Sequence, residues 1–290
     1  MKRALFATVI AACFAPAVGT AEDKEVLHIG VPRTLLREIP PALVTFAGQA
    51  FKDLIKTQSG LNGEVIHEED TIAIGRDLNS GKLQLGLFLG HEFAWAKQKY
   101  PKLEPLVCTI PRTKDVQAFL LVRHDCKATN LGELKGSRLA LATGMRDHPR
   151  MFLESRRVEE MKGGGFGTSL KAETQHDAIY KVMENEADIT AVDSAAWAYF
   201  EKLYPGPCQN LRVLARSDVF PPNVIAFKKG SLNEEAIVAI REGLASAHEN
   251  TKAKRMMSVI RLERFDTPPA NYGEMLKACL QVYPKPLADK

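Results

Sequence analysis

Apolar residues along the chain alternate between short continuous runs and spacings of three and four, an order that predicts β-strands and helices in succession. Val26 to Val31 reads as a buried strand. After Pro40-Pro41, Leu43, Phe46, Ala47, Ala50, Phe51 and Leu54 form one helical stripe. Gly60-Leu61-Asn62-Gly63 turns the chain into a strand at Glu64 to His67. A helix follows at Thr71 to Asn79, and then Leu83 to Leu89, continuous enough for a parallel sheet that is buried on both faces. This β-α-β-α-β order implies a doubly wound sheet.

Farther on, Leu103 to Ile110 and Gln117 to Val122 are strand-like and flank the polar segment Pro111-Arg112-Thr113-Lys114-Asp115, where a first crossing between two lobes is expected. Strands near Arg138 to Ala142, Thr168 to Glu173 and Asp188 to Val192 belong to the second lobe. Its helices fall at about Pro149 to Met161, His176 to Asn185 and Ser194 to Leu203. Leu211 to Ala215 returns the chain, and Val224 to Phe227 rejoins the first sheet. Leu232 to Ala247, Lys252 to Val259 and Tyr272 to Val282 read as helices. The expected organisation is residues 22–115 and 216–290 in one lobe and 116–215 in the other, with hinges near 111–117 and 214–221. No internal repeat of fixed period is present.

Met1-Lys2-Arg3, the apolar run Ala4 to Val18 and the small residues Gly19-Thr20-Ala21 have the three parts of a secretory signal, giving a segment 1–21 removed after Ala21. The run is shorter than the roughly 18 to 20 residues of a membrane span. Ile10-Ala11-Ala12-Cys13 offers the alternative of a lipid anchor at Cys13. Four further cysteines, Cys108, Cys126, Cys208 and Cys279, allow three pairings or none in an oxidising compartment.

The formal net charge of +4, with acids and bases interspersed and no basic run, disfavours a nucleic-acid partner and suits a small anion. Lys162-Gly163-Gly164-Gly165-Phe166-Gly167 lacks the lysine and hydroxyl that follow the last glycine of a phosphate loop, so it reads as a surface turn. His91-Glu92 lacks the second histidine of a zinc helix, and no G-x-S-x-G elbow occurs. No enzyme, cofactor or metal is expected.

Two stretches carry candidate chemistry. Gln175-His176-Asp177-Ala178 opens a helix after a strand, and Ala191-Val192-Asp193-Ser194 ends a strand before a helix, so both reach one end of an α/β sheet. Ligands bind at that end. His176 can donate to an anionic oxygen beside free helix N–H groups, or simply cap or decorate the helix. Asp193 can accept from a ligand, or cap the following helix, as can Ser194.

With Ile29-Gly30-Val31-Pro32, Leu78-Asn79-Ser80-Gly81-Lys82-Leu83-Gln84-Leu85-Gly86-Leu87-Phe88-Leu89-Gly90, Asn130-Leu131-Gly132-Glu133-Leu134-Lys135-Gly136-Ser137-Arg138-Leu139-Ala140 and Phe220-Pro221-Pro222-Asn223-Val224-Ile225-Ala226, these stretches resemble, in order, the phosphonate- and phosphate-binding proteins of ABC importers. The resemblance covers nearly all of the chain after the signal. It implies an α/β fold of the two-lobed, type 2 periplasmic binding protein class, each lobe a doubly wound and mainly parallel sheet with flanking helices. It also implies an exported monomer that captures a small oxyanion (phosphonate, phosphite or phosphate) in an interlobe cleft and passes it to an ABC permease. His176 and Asp193 match positions that face the ligand in that family.

The family's "D-P-x-S-T-S-G" turn is replaced here within Leu139-Ala140-Leu141-Ala142-Thr143-Gly144-Met145-Arg146-Asp147-His148-Pro149. Thr143 and Gly144 retain one hydroxyl and a backbone approach. Arg146 offers a charge-assisted bidentate contact, or instead pairs with Asp147 or another acid. The exchange admits a sulfonate or carboxylate as alternative ligand. Gly90-His91-Glu92-Phe93-Ala94-Trp95 stands where the family has "G-P-x-S-Y", making His91 and Phe93 first-lobe candidates, the aromatic also being suited to the core. Arg33 follows the first strand and adds positive field. A periplasmic sensor for a membrane receptor is the alternative use of this fold. An enzymatic use would need a low-pKa Cys108 or Cys208 in the cleft.

Overall fold

A computed structural model describes residues 26–36, 39–113 and 115–285. The signal segment and Cys13 lie outside these residues. In chain order the elements are β1 (Val26–Pro32), α1 (Arg33–Leu36), α2 (Pro41–Ser59), β2 (Asn62–Glu68), α3 (Thr71–Ser80), β3 (Leu85–Phe88), α4 (Gly90–Lys99), β4 (Leu103–Pro111) and β5 (Ala118–Arg123). Then come β6 (Arg138–Ala142), α5 (Asp147–Met161), β7 (Thr168–Ala172), α6 (Gln175–Met183), β8 (Ile189–Asp193), α7 (Ser194–Leu203), α8 (Pro205–Cys208) and β9 (Leu211–Arg216). The chain closes with β10 (Val224–Lys228), α9 (Glu234–Ala245), α10 (Thr251–Val259), β11 (Leu262–Asp266) and α11 (Tyr272–Val282).

The strands make two sheets with the orders β11-β4-β10-β3-β1-β2 and β7-β6-β8-β5-β9. In the first, β1 pairs in parallel with β2 and β3, while β10 runs antiparallel between β3 and β4. In the second, β6 is parallel to β7 and β8, and β5 is the antiparallel member. In the first sheet β10 and the edge strand β11 therefore run against the other four strands, in the second only β5 is reversed, and each sheet is covered by helices. The strand Leu85–Phe88 reads as a continuous apolar run because it is buried between helices; Ile74 and Leu78 of α3 lie on one side of it.

Two segments join the lobes. They meet in an isolated antiparallel bridge between Val116 and Phe220, with Phe220 N–H donating to Val116 O at 2.9 Å. Gly90, at the start of α4, packs so closely on this crossing that a Cβ there would sit 1.8 Å from Pro221 O. The Ser194 hydroxyl also holds the crossing: it donates to Asp115 O at 2.9 Å and accepts from Gln117 N–H at 3.3 Å.

The stripe of α2 has two destinations. Ala50, Phe51, Leu54 and Ile55 are buried in the first core, against Ile240 and Leu244 of α9. The N-terminal half is less buried, with Leu43 and Phe46 each about two-fifths exposed. Beyond the expected elements lies the edge strand β11. Its residues Leu262 and Phe265 are buried three apart because a bulge between Leu262 and Arg264 inserts one residue into the pairing with β4.

Candidate functional site

A cleft of about 300 Å³ opens where the parallel strands of the first sheet end, at Val31 of β1, His67 of β2, Phe88 of β3 and Thr109 of β4. Lobe 2 closes its other side with Arg146, Asp193 and Ala195. The walls are largely aliphatic, built from α2 (Leu43, Val44, Ala47) and from the α10 to β11 connection (Val259, Ile260, Leu262). The ionisable lining residues are His67, Arg146, Asp193 and Arg261, so the lining carries two guanidinium groups and one carboxylate.

Asp193 ends β8 and is 3 % exposed. Its Oδ1 accepts from Ala196 N–H at 2.7 Å and so caps α7. Oδ2 accepts from Gln175 Nε2 at 3.1 Å, and Arg146 Nη1 stands 3.9 Å away. Burial pushes this carboxyl up, but Arg146, His148 and the two hydrogen bonds together hold it below its ordinary value. Arg146 lies beside this carboxylate and lines the cleft with it.

The Gln-His-Asp stretch divides its work among three neighbours. Gln175, 2 % exposed, also accepts from Asp193 N–H through Oε1 at 2.7 Å. Asp177 forms a capping box with Thr174: the Thr174 hydroxyl accepts from Asp177 N–H at 3.1 Å and Asp177 Oδ2 accepts from Thr174 N–H at 3.0 Å. His176 stacks on Tyr199 of α7, ring centroids 5.1 Å apart and planes 9° from parallel. The other face of the relay is Arg261, whose guanidinium lies 4.9 Å from the Tyr199 ring centroid. His176 thus reaches the cleft wall through Tyr199 and Arg261, and its own ring is not part of the lining.

Among the other sequence candidates, Arg146 lines the cleft and Met145 beside it is fully buried. Thr143 is exposed, its hydroxyl donating to Ala172 O at 3.0 Å, and Gly144 is half-buried on the same turn. Phe93 is completely buried in the first core, 5.4 Å from Phe88 and 6.3 Å from Tyr272 between ring centroids. Arg33 is exposed and pairs with Glu69 at 3.1 Å. His91, 2 % exposed, lies behind the cleft near the crossing, its ring 5.1 Å from Trp95, 6.1 Å from Phe220 and 6.0 Å from His148. Only Arg146 and Asp193 of the eight candidates line the cleft in this geometry.

Three contributors escaped the sequence reading. Gln175 and His148 stand inside quoted stretches, but nothing in a single glutamine or histidine announces burial. Arg261 follows α10 in the left-handed region at φ 56°, a turn that aims it at Tyr199.

The family model for the ABC-transporter periplasmic phosphonate substrate-binding protein matches residues 40–272. The chain belongs to this family. It is a periplasmic substrate-binding component that works with an ABC permease, and not an enzyme. No curated protein matches it by sequence. The fold of this binding protein is shared by a Xanthomonas citri protein solved with chloride, at 15 % identity and TM-score 0.66 over 89 % of this chain and 97 % of the other. A Prochlorococcus marinus protein in complex with methylphosphonate gives 15 % identity and TM-score 0.62, covering 89 % and 98 %. The binding component of a Pseudomonas aeruginosa ABC phosphonate transporter gives 14 % and 0.61, covering 90 % and 86 %.

The four cysteines of the described residues are free thiols. Burial pushes Cys108 up to about 12 and Cys208 up to about 11, so neither is a ready nucleophile.

Proposed function

We propose that this binding protein captures an oxyanion of the phosphonate type whose apolar substituent lies along the α2 wall, and that it does so as a monomer without a nucleic-acid partner. The observation that carries the reading is the pair of arginines on opposite sides of one mostly aliphatic cleft, Arg146 from lobe 2 and Arg261 from lobe 1. Two guanidinium groups on separate lobes oppose closure on their own. An anion between them reverses the sign and makes closure favourable, which is how a ligand with contacts in both lobes shifts the equilibrium.

The aliphatic walls favour an organic anion over inorganic phosphate. Apolar area is worth about 25 cal/mol per Å² removed from water, so each methylene set against Leu43 or Val44 adds about 0.8 kcal/mol. Asp193 keeps Arg146 oriented and can accept from a singly protonated oxyanion. Of the remaining candidates, His176 acts on Arg261 through Tyr199, whereas Thr143, Gly144, His91, Phe93 and Arg33 lie outside the cleft lining.

A thermal-shift screen of the purified protein against phosphate, phosphite, methyl-, butyl- and hexylphosphonate, the matching sulfonates and the carboxylates tests the reading, because a ligand of the folded state raises the melting midpoint. The expected result is a shift that grows from phosphate to butylphosphonate. A larger shift for sulfonates or carboxylates would reassign the head group, and a shift for inorganic phosphate alone would refute the role of the aliphatic wall.

A further inference from the structure

We propose a divalent transition-metal site between the lobes, formed by His91, Glu92 and Asp147, separate from the anion cleft. A ring nitrogen of His91 and one carboxylate oxygen each from Glu92 and Asp147 lie within 4.8 Å of one another. His91 and Glu92 come from the first turn of α4 in lobe 1. Asp147 comes from the first turn of α5 in lobe 2.

The second observation is the state of the histidine. His91 is 2 % exposed and its buried Nε2 has no hydrogen-bond partner. A buried polar atom without a partner destabilises the fold, so the position needs an explanation beyond packing. Beside it stands His148, also 2 % exposed, with both ring nitrogens unpartnered. Unpartnered imidazole nitrogens beside two carboxylates are donors of the kind a divalent transition metal takes.

Electrostatics permit the cation. Each carboxylate sits at a helix N-terminus and already offsets the positive end of that helix. The neighbouring guanidinium of Arg146 is directed to Asp193 and the cleft. One nitrogen and two carboxylate oxygens suit Zn²⁺, Ni²⁺ or Mn²⁺ better than Mg²⁺ or Ca²⁺, which prefer all-oxygen shells. Ligand bonds of about 2.0 to 2.2 Å are within reach of donor atoms this close once the side chains adjust. Because His91 and Glu92 lie on α4 and Asp147 on α5, a bound cation would staple the two lobes behind the cleft. Arg146 shares the turn that carries Asp147, which ties cation occupancy to the position of the anion contact.

Sequence spacing conceals this site, because His91-Glu92 has no second local ligand and Asp147 is far along the chain. The test is isothermal titration of Zn²⁺ into chelator-stripped protein, with Mg²⁺ as the control cation, for the natural protein and for His91→Gln, Asp147→Asn and Glu92→Gln. Circular dichroism checks that each variant is folded. The expected result is one Zn²⁺ per chain, no response to Mg²⁺, and at least a tenfold weaker affinity in Asp147→Asn, the half-buried position least able to disturb folding, and in His91→Gln. Absence of Zn²⁺ uptake by the folded natural protein overturns the proposal. So does uptake that Asp147→Asn leaves unchanged, since it would then arise at surface histidines.

Discussion

Gln175 and Asp193 clasp each other at the end of the second sheet: the Gln175 amide donates to Asp193 Oδ2 at 3.1 Å while its carbonyl oxygen accepts from Asp193 N–H at 2.7 Å. Both residues are buried, and the clasp joins the start of α6 to the end of β8. Gln175→Ala leaves Asp193 N–H without its partner at about 1 to 3 kcal/mol for a buried group. Urea denaturation should show a stability loss of that size, with the m-value unchanged.

Asp193 serves the fold as well as the cleft. Asp193→Ala removes the α7 cap, worth about 0.5 to 2 kcal/mol, together with the carboxylate beside Arg146. Asp193→Asn keeps a capping oxygen and loses the charge. The expected pattern from paired denaturation and titration curves is that Ala is destabilised and binds poorly, whereas Asn retains most of its stability with altered affinity.

His176 contributes through a stack. His176→Ala removes the ring under Tyr199 and should weaken anion binding less than Arg261→Ala does, since the guanidinium faces the cleft and the imidazole does not. Titration of a butylphosphonate into both variants checks the order. A loss from His176→Ala as large as that from Arg261→Ala would mean direct contact by the imidazole.

Acid should weaken the second lobe through Asp188. Its carboxylate accepts from Arg138 Nη2 at 2.8 Å and from Arg138 N–H at 2.7 Å. The Arg138 contact is the largest influence and holds Asp188 below its ordinary value. A carboxyl lowered in the folded state contributes stability that is fully present above the unfolded value, about 3.9, and is lost as pH falls through the folded one. Asp188→Asn should therefore be less stable than the natural protein at pH 7, and the difference should shrink below about pH 4.

Gly90 tests the crossing. Gly90→Ala places a Cβ 1.8 Å from Pro221 O, and the conflict is with backbone on both sides. Overpacking of this kind costs about 1 to 3 kcal/mol, read as a lower thermal midpoint.

Much of the fold is legible in the sequence because strands such as Leu85–Phe88 and helices such as Ser194–Leu203 announce themselves by continuous or periodic burial. The strand β11 is not legible: charged Glu263 and Arg264 separate Leu262 from Phe265, and the bulge that puts those two on one side has no local signal. The site divides the same way. Asp193 and Arg146 can be placed from strand ends and a resemblance, while Arg261 depends on a left-handed turn after α10 and on Tyr199 from the other lobe. The stripe of α2 is plain in sequence, but periodicity alone cannot tell that Leu43 and Val44 line a cleft while Leu54 and Ile55 are buried in a core.

An oxyanion gripped between the lobes by Arg146 and Arg261 would lose affinity when either guanidinium is removed. Isothermal titration of butylphosphonate into the natural protein, Arg146→Ala, Arg146→Lys and Arg261→Ala measures this. The expected result is one site per chain, a loss of about 1.5 to 3 kcal/mol for each alanine variant as a charged hydrogen bond is removed, and a smaller loss for Arg146→Lys, which keeps the charge but not the fork. Binding of natural strength in both alanine variants would contradict it.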